Sequence, residues 1–271
     1  MATSSWSSVR HAPAVVRASR DRNNPKVLDA YLSELVRRLR AQLGEQLLAV
    51  WAVGSAAFGD FDPALSDLDV QAVSVADLSR MQLAQIAAEL SQASLPCPAR
   101  GLEFVLYARA GLADSHGPAF QLNLNTGRAL EPHVGYDPNG EPRFWFVLDV
   151  AIARQRARRL AGADPRQILP ELPRALVLSA LLDALAWWRE HDGAQAVLSA
   201  CRAWAWHSDG QWRSKQQAAT WAAEHSPEHA SIITAALEGA RTAHGPTLSM
   251  QTQRPMSAPS KICSKHRADQ R

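Results

Sequence analysis

The stretch AVGSAAFGDFDPALSDLDV, residues 52–70, contains the pattern that decides the fold. It continues the short apolar run Leu47–Val53, whose length and whose end at Gly54 are typical of a buried strand. Gly54 allows the backbone to approach a phosphate, and Ser55 opens a turn or a helix N-terminus whose free N–H groups can hold phosphate oxygens. The first half of the stretch therefore predicts a strand followed by a phosphate-binding turn.

The second half of the stretch places two acidic side chains on one face of a second strand. Asp67 and Asp69 alternate with Leu68 and Val70 at the start of the predicted strand Asp67–Val75. Because alternate residues of a strand share a face, both carboxylates point the same way. Two like charges repel unless a cation lies between them, and Mg²⁺ prefers carboxylate and phosphate oxygens. The pattern predicts a magnesium site, and a pair of such ions can assist an in-line displacement at phosphorus.

A third carboxylate, Glu103, interrupts the apolar strand predicted for Leu102–Tyr107. A lone carboxylate inside such a run is costly unless it has a partner. A neighbouring strand that carries Asp67 and Asp69 would supply the reason for it. Glu103 would then either bind metal or take the proton from an acceptor hydroxyl. Together the three segments indicate nucleotidyl transfer rather than a solvated surface pattern.

Charge and composition narrow the class of protein. The 271 residues, of which 46% are hydrophobic, suit one large or two small globular domains. Residues 1–20 carry a net charge of +3 and residues 245–271 carry +4, which leaves −4 on residues 21–244 out of the total of +3. The presumed folded part is thus mildly acidic, which suits a cationic small molecule better than a nucleic acid. No apolar run is long enough for a membrane span or a signal peptide, so we expect a cytoplasmic protein, and we expect it to be a monomer.

Periodicity predicts an α+β fold with a mixed-sheet domain followed by a helical bundle. Residues 21–150 contain a predicted amphipathic helix at 26–46 and a further predicted strand at 120–125. The three strands already described, at 47–53, 67–75 and 102–107, belong to the same domain. Residues 151–244 are predicted to be helical, and the polar ends 1–20 and 245–271 are predicted to be disordered. The expected helices of the second domain lie near 151–161, 173–190, 194–207, 214–224 and 227–241.

Two sets of motifs carry a resemblance to a known family. The pattern from Gly54-Ser55 to Asp67-x-Asp69 resembles the signature of polymerase-β-like nucleotidyltransferases. Residues 192–204, DGAQAVLSACRAW, and residues 214–221, SKQQAATW, resemble two motifs of the aminoglycoside (3″)(9) adenylyltransferases, the streptomycin and spectinomycin resistance enzymes. The resemblance spans residues 26–244 and implies a nucleotidyltransferase domain and a helical domain, with ATP and the antibiotic bound between them.

The resemblance also implies roles for individual residues. Ser55 and Ser66 would bind the triphosphate of ATP, and Lys215 would reach its phosphates from the helical domain. Asp67 and Asp69 would hold Mg²⁺, and Glu103 would be the general base. On the antibiotic side, the residues implied are Asp192 for contact with the drug, and Trp187 or Trp188 as a wall of the drug pocket.

Several positions depart from the family pattern. Asn125 stands where the streptomycin-using members have a tryptophan, Gln195 replaces a histidine, and Arg241 falls near a tyrosine used beside ATP. Two alternatives remain at this point. The chain is either an adenylyltransferase of another small molecule or of a protein hydroxyl, or a catalytically silent nucleotide-binding module.

Overall fold

A six-stranded mixed sheet forms the first part of the protein, in a computed structural model that describes residues 25–114 and 116–242. The strand order is β5-β4-β3-β2-β1-β6, in which β2 and β3 are parallel and the other neighbours are antiparallel. The strands are β1 (Leu47–Ala52), β2 (Leu68–Ser74), β3 (Gly101–Ala108), β4 (Phe120–Gly127), β5 (His133–Gly135) and β6 (Arg158–Gly162).

Nine α-helices accompany these strands within the described residues. Four 3₁₀ turns, at 44–46, 110–113, 138–140 and 227–229, lie between the larger elements of that part of the chain. The helices are α1 (Pro25–Leu43), α2 (Gly54–Phe58), α3 (Arg80–Leu90), α4 (Arg143–Arg156), α5 (Pro165–Ile168), α6 (Arg174–His191), α7 (Gly193–Asp209), α8 (Lys215–His225) and α9 (Ala230–Thr242).

One face of the sheet packs against α1 and α3. Helix α1 buries Leu32, Leu35 and Leu39, which recur at helical spacing and therefore share one side of the helix. The sheet contributes Leu68 and Val70 from β2, both fully buried in the same cluster. Since Asp69 lies between them in the strand, this packing turns its side chain to the opposite face.

The opposite face of the sheet is covered in part by α4, which also contacts the helical part of the chain. Phe146 and Val150 of α4 pack with Trp51 and Val105 of the sheet. Trp145, on another side of α4, joins a separate cluster with residues of α6 and α7. Helix α4 thus connects the sheet to the helical bundle, and a cleft remains where the two meet.

The predicted helix at 151–161 is wrong in its second half. Helix α4 ends at Arg156, and Arg158–Gly162 forms edge strand β6, paired antiparallel with β1. Gly162 has φ +71°, and a Cβ there would come within 1.9 Å of the Leu48 carbonyl oxygen. Pairing with β1 outweighs the local helical preference of the segment, which short-range periodicity does not register. The sheet therefore continues past the predicted domain boundary at residue 150.

The other predicted elements agree with the structure to within a few residues. The segment Arg143–Arg156 forms helix α4. The predicted disordered ends, 1–20 and 245–271, lie outside the described residues. Among the helices that are described, none is long and apolar enough to cross a membrane.

Candidate active site

Asp69 and Glu103 lie side by side at the centre of the site. They are paired in register on the parallel strands β2 and β3, so both side chains leave the same face of the sheet. Glu103 is 6% exposed, which makes it a buried carboxyl group next to a second acid. Asn125 follows in the same row, because it pairs with Glu103 across β3 and β4.

Gly54 is required by the closeness of this pair. It begins α2 directly after β1 and has φ +55°, a conformation that side chains with a Cβ rarely adopt. A Cβ at this position would lie 1.9 Å from Asp69 Oδ2, and the N–H of Val53 donates to the Asp69 carbonyl oxygen at 3.0 Å. The absence of a side chain at residue 54 therefore leaves the space that the Asp69 carboxylate occupies.

Asp67 lies just before β2 and faces a cation that the sequence did not single out. Its Oδ1 is 3.5 Å from Arg100 Nε, and burial raises the pKa of Asp67 to about 6. Ser66, beside it, accepts a hydrogen bond from the N–H of Asp62 at 3.1 Å, and Ser66 and Ser55 both line the cleft. The predicted phosphate-binding serines and the two aspartates therefore share one cavity.

The Asp69 and Glu103 carboxyl groups are hydrogen bonded to each other, and the pKa of each is raised. Burial, followed by the charge of Asp67, raises the pKa of Asp69 to about 7. Burial and the charges of Asp69, Asp67 and Asp149 raise the pKa of Glu103 well above its usual range. Glu103 is the hydrogen-bond donor of the pair, since this contact lowers the pKa of Asp69 and raises that of Glu103. Two ionised carboxylates this close are unfavourable unless positive charge is placed beside them.

Metal-free protein is expected to become less stable as pH rises toward 7, because of this pair. The pKa of Asp69 rises from 3.8 to about 7 on folding, so between these values the unfolded chain ionises while the folded one keeps the proton. The destabilisation grows from about pH 4 and is complete above about pH 7. Asp69→Asn should remove it, so its melting temperature relative to wild type should increase by several degrees across this range.

Thermal unfolding in a chelating buffer from pH 4 to 8 would measure this difference. Asp77→Asn is the matched control, since Asp77 is exposed and lies beyond the other end of β2. A constant offset between Asp69→Asn and wild type at every pH would contradict the prediction.

Two cations enter the site from the helical part. Lys215 begins α8 behind the N-cap Ser214, and its Nζ donates to Gln195 Oε1 at 2.5 Å. Burial, then the charge of Arg202, lowers the pKa of Lys215 to about 8, and burial lowers the pKa of Arg202 to about 10. Both side chains interact electrostatically with Asp69 across the cleft. Arg202 was part of a predicted motif but was not predicted to line the site. Its position as a charged residue in an otherwise apolar helix was the signal that could have indicated this.

The residues predicted to contact the drug separate into two groups. Asp192 and Trp188 line the cleft, whereas the lining contains neither Trp187 nor Asn125 among the described residues. Asp192 is also the N-cap of α7 and accepts from the Gln195 N–H at 3.1 Å. Trp187 stacks on His191 with ring centroids 4.0 Å apart, and Asn125 is buried with 1% exposure.

The cleft has a volume of about 360 Å³ and is lined by residues from both the sheet and the helical bundle. This size falls within the range of small-molecule sites, roughly 300–1,000 Å³. Two further lining residues, Gln71 and Asp149, were not predicted. Gln71 lies in an otherwise apolar strand and Asp149 in an otherwise apolar helix. A polar residue that interrupts an apolar segment was the sequence signal from which both could have been predicted.

A magnesium ion fits Asp67 and Asp69 by their chemistry. The buried Asp67 Oδ1 accepts no hydrogen bond from the described residues, and carboxylate oxygens are ligands that Mg²⁺ prefers. The predicted ligand set also included Glu103. In the described part of the chain, however, no group of three or more His, Cys, Asp or Glu side chains is arranged around a common metal position. Glu103 instead hydrogen bonds to Asp69.

Comparison with known proteins identifies the second part of the chain. Residues 167–257 match the family described as aminoglycoside adenylyltransferase, C-terminal domain. These residues are an aminoglycoside adenylyltransferase domain. The predicted family is thereby confirmed, and with it the enzyme class, nucleotidyltransferase. The match in this adenylyltransferase domain extends past residue 244, where the helical domain was predicted to end.

The fold of the chain is similar to that of a solved structure. The spectinomycin adenyltransferase AAD(9) from Enterococcus faecialis, solved with ATP and spectinomycin, has a TM-score of 0.59 and 20% identity over 78% of this chain and 89% of that one. This likeness confirms the predicted α+β fold. A toxin-antitoxin structure with AMP-PNP covers 62% of this chain and 96% of the other at 11% identity, but its TM-score of 0.28 is too low to carry weight. No curated protein sequence matches the chain.

Proposed function

We propose that this adenylyltransferase transfers AMP from ATP to a hydroxyl group of an aminocyclitol antibiotic of the spectinomycin type. The observation that carries the proposal is the convergence of two sets of side chains in one cleft. Asp67, Asp69 and Glu103 enter from the sheet, and Lys215 and Arg202 enter from the adenylyltransferase domain. Carboxylates opposite cations are the arrangement that a magnesium-bound triphosphate needs on its two sides.

The sheet contributes the carboxylates that would promote attack of the acceptor hydroxyl on the α-phosphate. Asp67 and Asp69 would hold Mg²⁺, which when bound neutralises charge on the triphosphate and the leaving pyrophosphate. Glu103 lies next to Asp69, so it is placed to accept the proton of an acceptor hydroxyl as that oxygen bonds to phosphorus. Burial and the neighbouring carboxylates raise the pKa of Glu103, and positive charge beside Asp69 would lower it again, which favours the ionised base.

The helical domain contributes positively charged side chains that would stabilise the leaving pyrophosphate. Lys215 and Arg202 are half-buried cations whose pKa values are lowered by desolvation, and an anionic triphosphate between them would offset that cost. Ser55, in the turn behind Gly54, adds a hydroxyl to the same cavity. These residues would bind ATP. Asp192 and Trp188 also line the cleft and would contact the acceptor.

Transfer of label from ATP tests the proposal directly. Purified protein is incubated with Mg²⁺, ATP labelled at the α-phosphate, and spectinomycin, and the products are separated and weighed by mass spectrometry. The expected product is spectinomycin that has gained one AMP, formed with release of pyrophosphate. Omitting Mg²⁺ or the drug should abolish it.

The same reaction run without drug on a cell extract examines the alternative acceptor, a protein hydroxyl. Labelled protein bands, together with no labelled drug, would contradict the proposal in favour of that alternative. No labelled product of any kind would favour the silent nucleotide-binding module.

Spectinomycin is expected to be a better acceptor than streptomycin. Asn125 supplies no aromatic surface where streptomycin-using relatives have a tryptophan, and it is buried outside the cavity lining. Trp188 lines the cavity, but Lys215 Nζ already lies 5.4 Å from its ring centroid. A guanidinium of streptomycin would therefore lose a cation–π contact worth about 2 kcal/mol, or roughly 30-fold in affinity, whereas spectinomycin has no guanidinium.

Steady-state kcat/KM for both drugs under one set of ATP and Mg²⁺ conditions measures this preference. Asn125→Trp is not a useful gain-of-function control, because residue 125 is enclosed by the sheet. The affinity for each drug can be measured instead, by titrating each drug into the protein without ATP. Equal kcat/KM values, or a preference for streptomycin, would refute the argument.

A further inference from the structure

Gln71 is a buried polar residue in the wall of the cleft that has no hydrogen-bond partner. It lies two residues after Asp69 in β2 and shares its face, and it is 1% exposed. Neither its amide nitrogen nor its amide oxygen bonds to any described atom. Its register neighbours, Trp51 on β1 and Val105 on β3, are apolar. A buried amide in such a place is costly unless something else bonds to it.

Asp149 enters the same cleft from α4, the helix between the sheet and the adenylyltransferase domain. Its neighbour Val150 packs on the sheet, and Leu148 packs toward the helices. Asp149 lines the cleft, and its charge acts on both Glu103 and Arg202. An acidic side chain therefore faces the same space as the Gln71 amide.

The position of Gln71 relative to the reaction centre fits the acceptor better than ATP. Two residues along a strand span roughly 6.5 Å, so Gln71 lies about one sugar-sized ring away from Asp69 and Glu103. Gly54 lies against Asp69 at the other end of this row, where β1 leads into α2. The amide can both donate and accept a hydrogen bond, which suits a ring hydroxyl or carbonyl rather than a phosphate.

We propose that Gln71 and Asp149 form an inner acceptor subsite, in which the Gln71 amide bonds a ring hydroxyl or carbonyl and Asp149 pairs with an ammonium group of the same acceptor. The subsite rests on the proposed function, since it binds the molecule that receives AMP. It restricts the acceptor to compounds that carry an amine and an oxygen function on neighbouring positions. It also gives the mildly acidic part of the chain, residues 21–244, a specific place for a cationic ligand.

Gln71→Leu separates this role from a structural one. The KM for spectinomycin should rise about tenfold through the loss of one hydrogen bond, while the KM for ATP stays unchanged. Melting temperature should not fall, because the replacement removes two unpartnered polar atoms. Gln121→Leu is the matched control: Gln121 donates to Ser74 Oγ at 2.6 Å and accepts from the Leu78 N–H at 2.9 Å, so its loss should lower the melting temperature.

Gln71→Met, which keeps the length of the side chain, guards against a packing defect in the first variant. If both Gln71 variants melt as low as Gln121→Leu, Gln71 has a structural role and the proposal is overturned. If they are stable and keep the wild-type KM for spectinomycin, the proposal is overturned as well.

Asp149→Asn tests the second half of the subsite. The KM for spectinomycin should rise about 30-fold through loss of a charge-assisted contact, and the KM for ATP should not change. A rise in the KM for ATP alone would mean that Asp149 acts through Arg202, which overturns its acceptor role.

The activity of the wild-type enzyme shows whether a negative result concerns only the subsite or the proposed function itself. An active wild type with unaffected variants removes only the subsite, whereas a wild type inactive on every aminocyclitol removes the proposed function with it.

Discussion

Asp69→Asn is expected to abolish turnover in a protein that stays folded. Asp69 is half-buried beside Glu103 and Asp67, so an amide there removes one of the two carboxylates that would hold Mg²⁺ against the triphosphate. Loss of a metal ligand should cost several kcal/mol of transition-state stabilisation, or on the order of 10³-fold or more in kcat. The same substitution relieves like-charge repulsion, so activity and stability should change in opposite directions.

The measurement is the initial rate of AMP transfer together with a melting curve for each variant. Asp67→Asn should behave like Asp69→Asn in the rate. Asp60→Asn is the matched control, because Asp60 lines the same cleft but is exposed and lies outside the strand. It should keep most of the activity. A stable Asp69→Asn enzyme with wild-type turnover would remove Asp69 from the metal site.

Glu103→Gln is expected to lower kcat by about 10²–10⁴-fold while ATP still binds. Glutamine has nearly the same shape and can still donate to Asp69, so the fold should persist. It cannot accept a proton from the acceptor hydroxyl, so the loss falls on the chemical step. The KM for ATP should change little, because Lys215, Arg202 and Ser55 remain in the cleft.

Single-turnover rates and an ATP titration with Mg²⁺ distinguish the two roles that the residue pattern left open. A folded Glu103→Gln protein that no longer binds ATP with Mg²⁺ would show that Glu103 is mainly a metal ligand. Glu141→Gln is a control with a buried glutamate outside the cleft lining. Glu141 accepts from Asn123 Nδ2 at 2.6 Å and lies 3.0 Å from His133 Nε2, so its substitution should affect stability more than turnover.

The amino-acid sequence determined the features that depend on residues close together in the chain. Alternation in residues 68–70 sets the direction of Asp69, because strand geometry places every second side chain on one face. The motifs around Asp192 and Ser214 predicted the family, and both lie within the matched residues 167–257. The helices of the second domain likewise follow from local periodicity and from the Ser214 cap.

Tertiary structure alone decided which distant residues meet. Strand β6 exists because β1 offers an edge to pair with, and nothing in the local pattern of 151–162 reports that edge. Glu103 acquires its strongly raised pKa only when the fold buries it and brings Asp69 and Asp149 beside it. The same holds for Gln71 and Arg202, whose proposed roles depend on a cleft built from the sheet and the helical bundle. Burial and electrostatic interaction act through space, so a pattern read along the chain does not contain them.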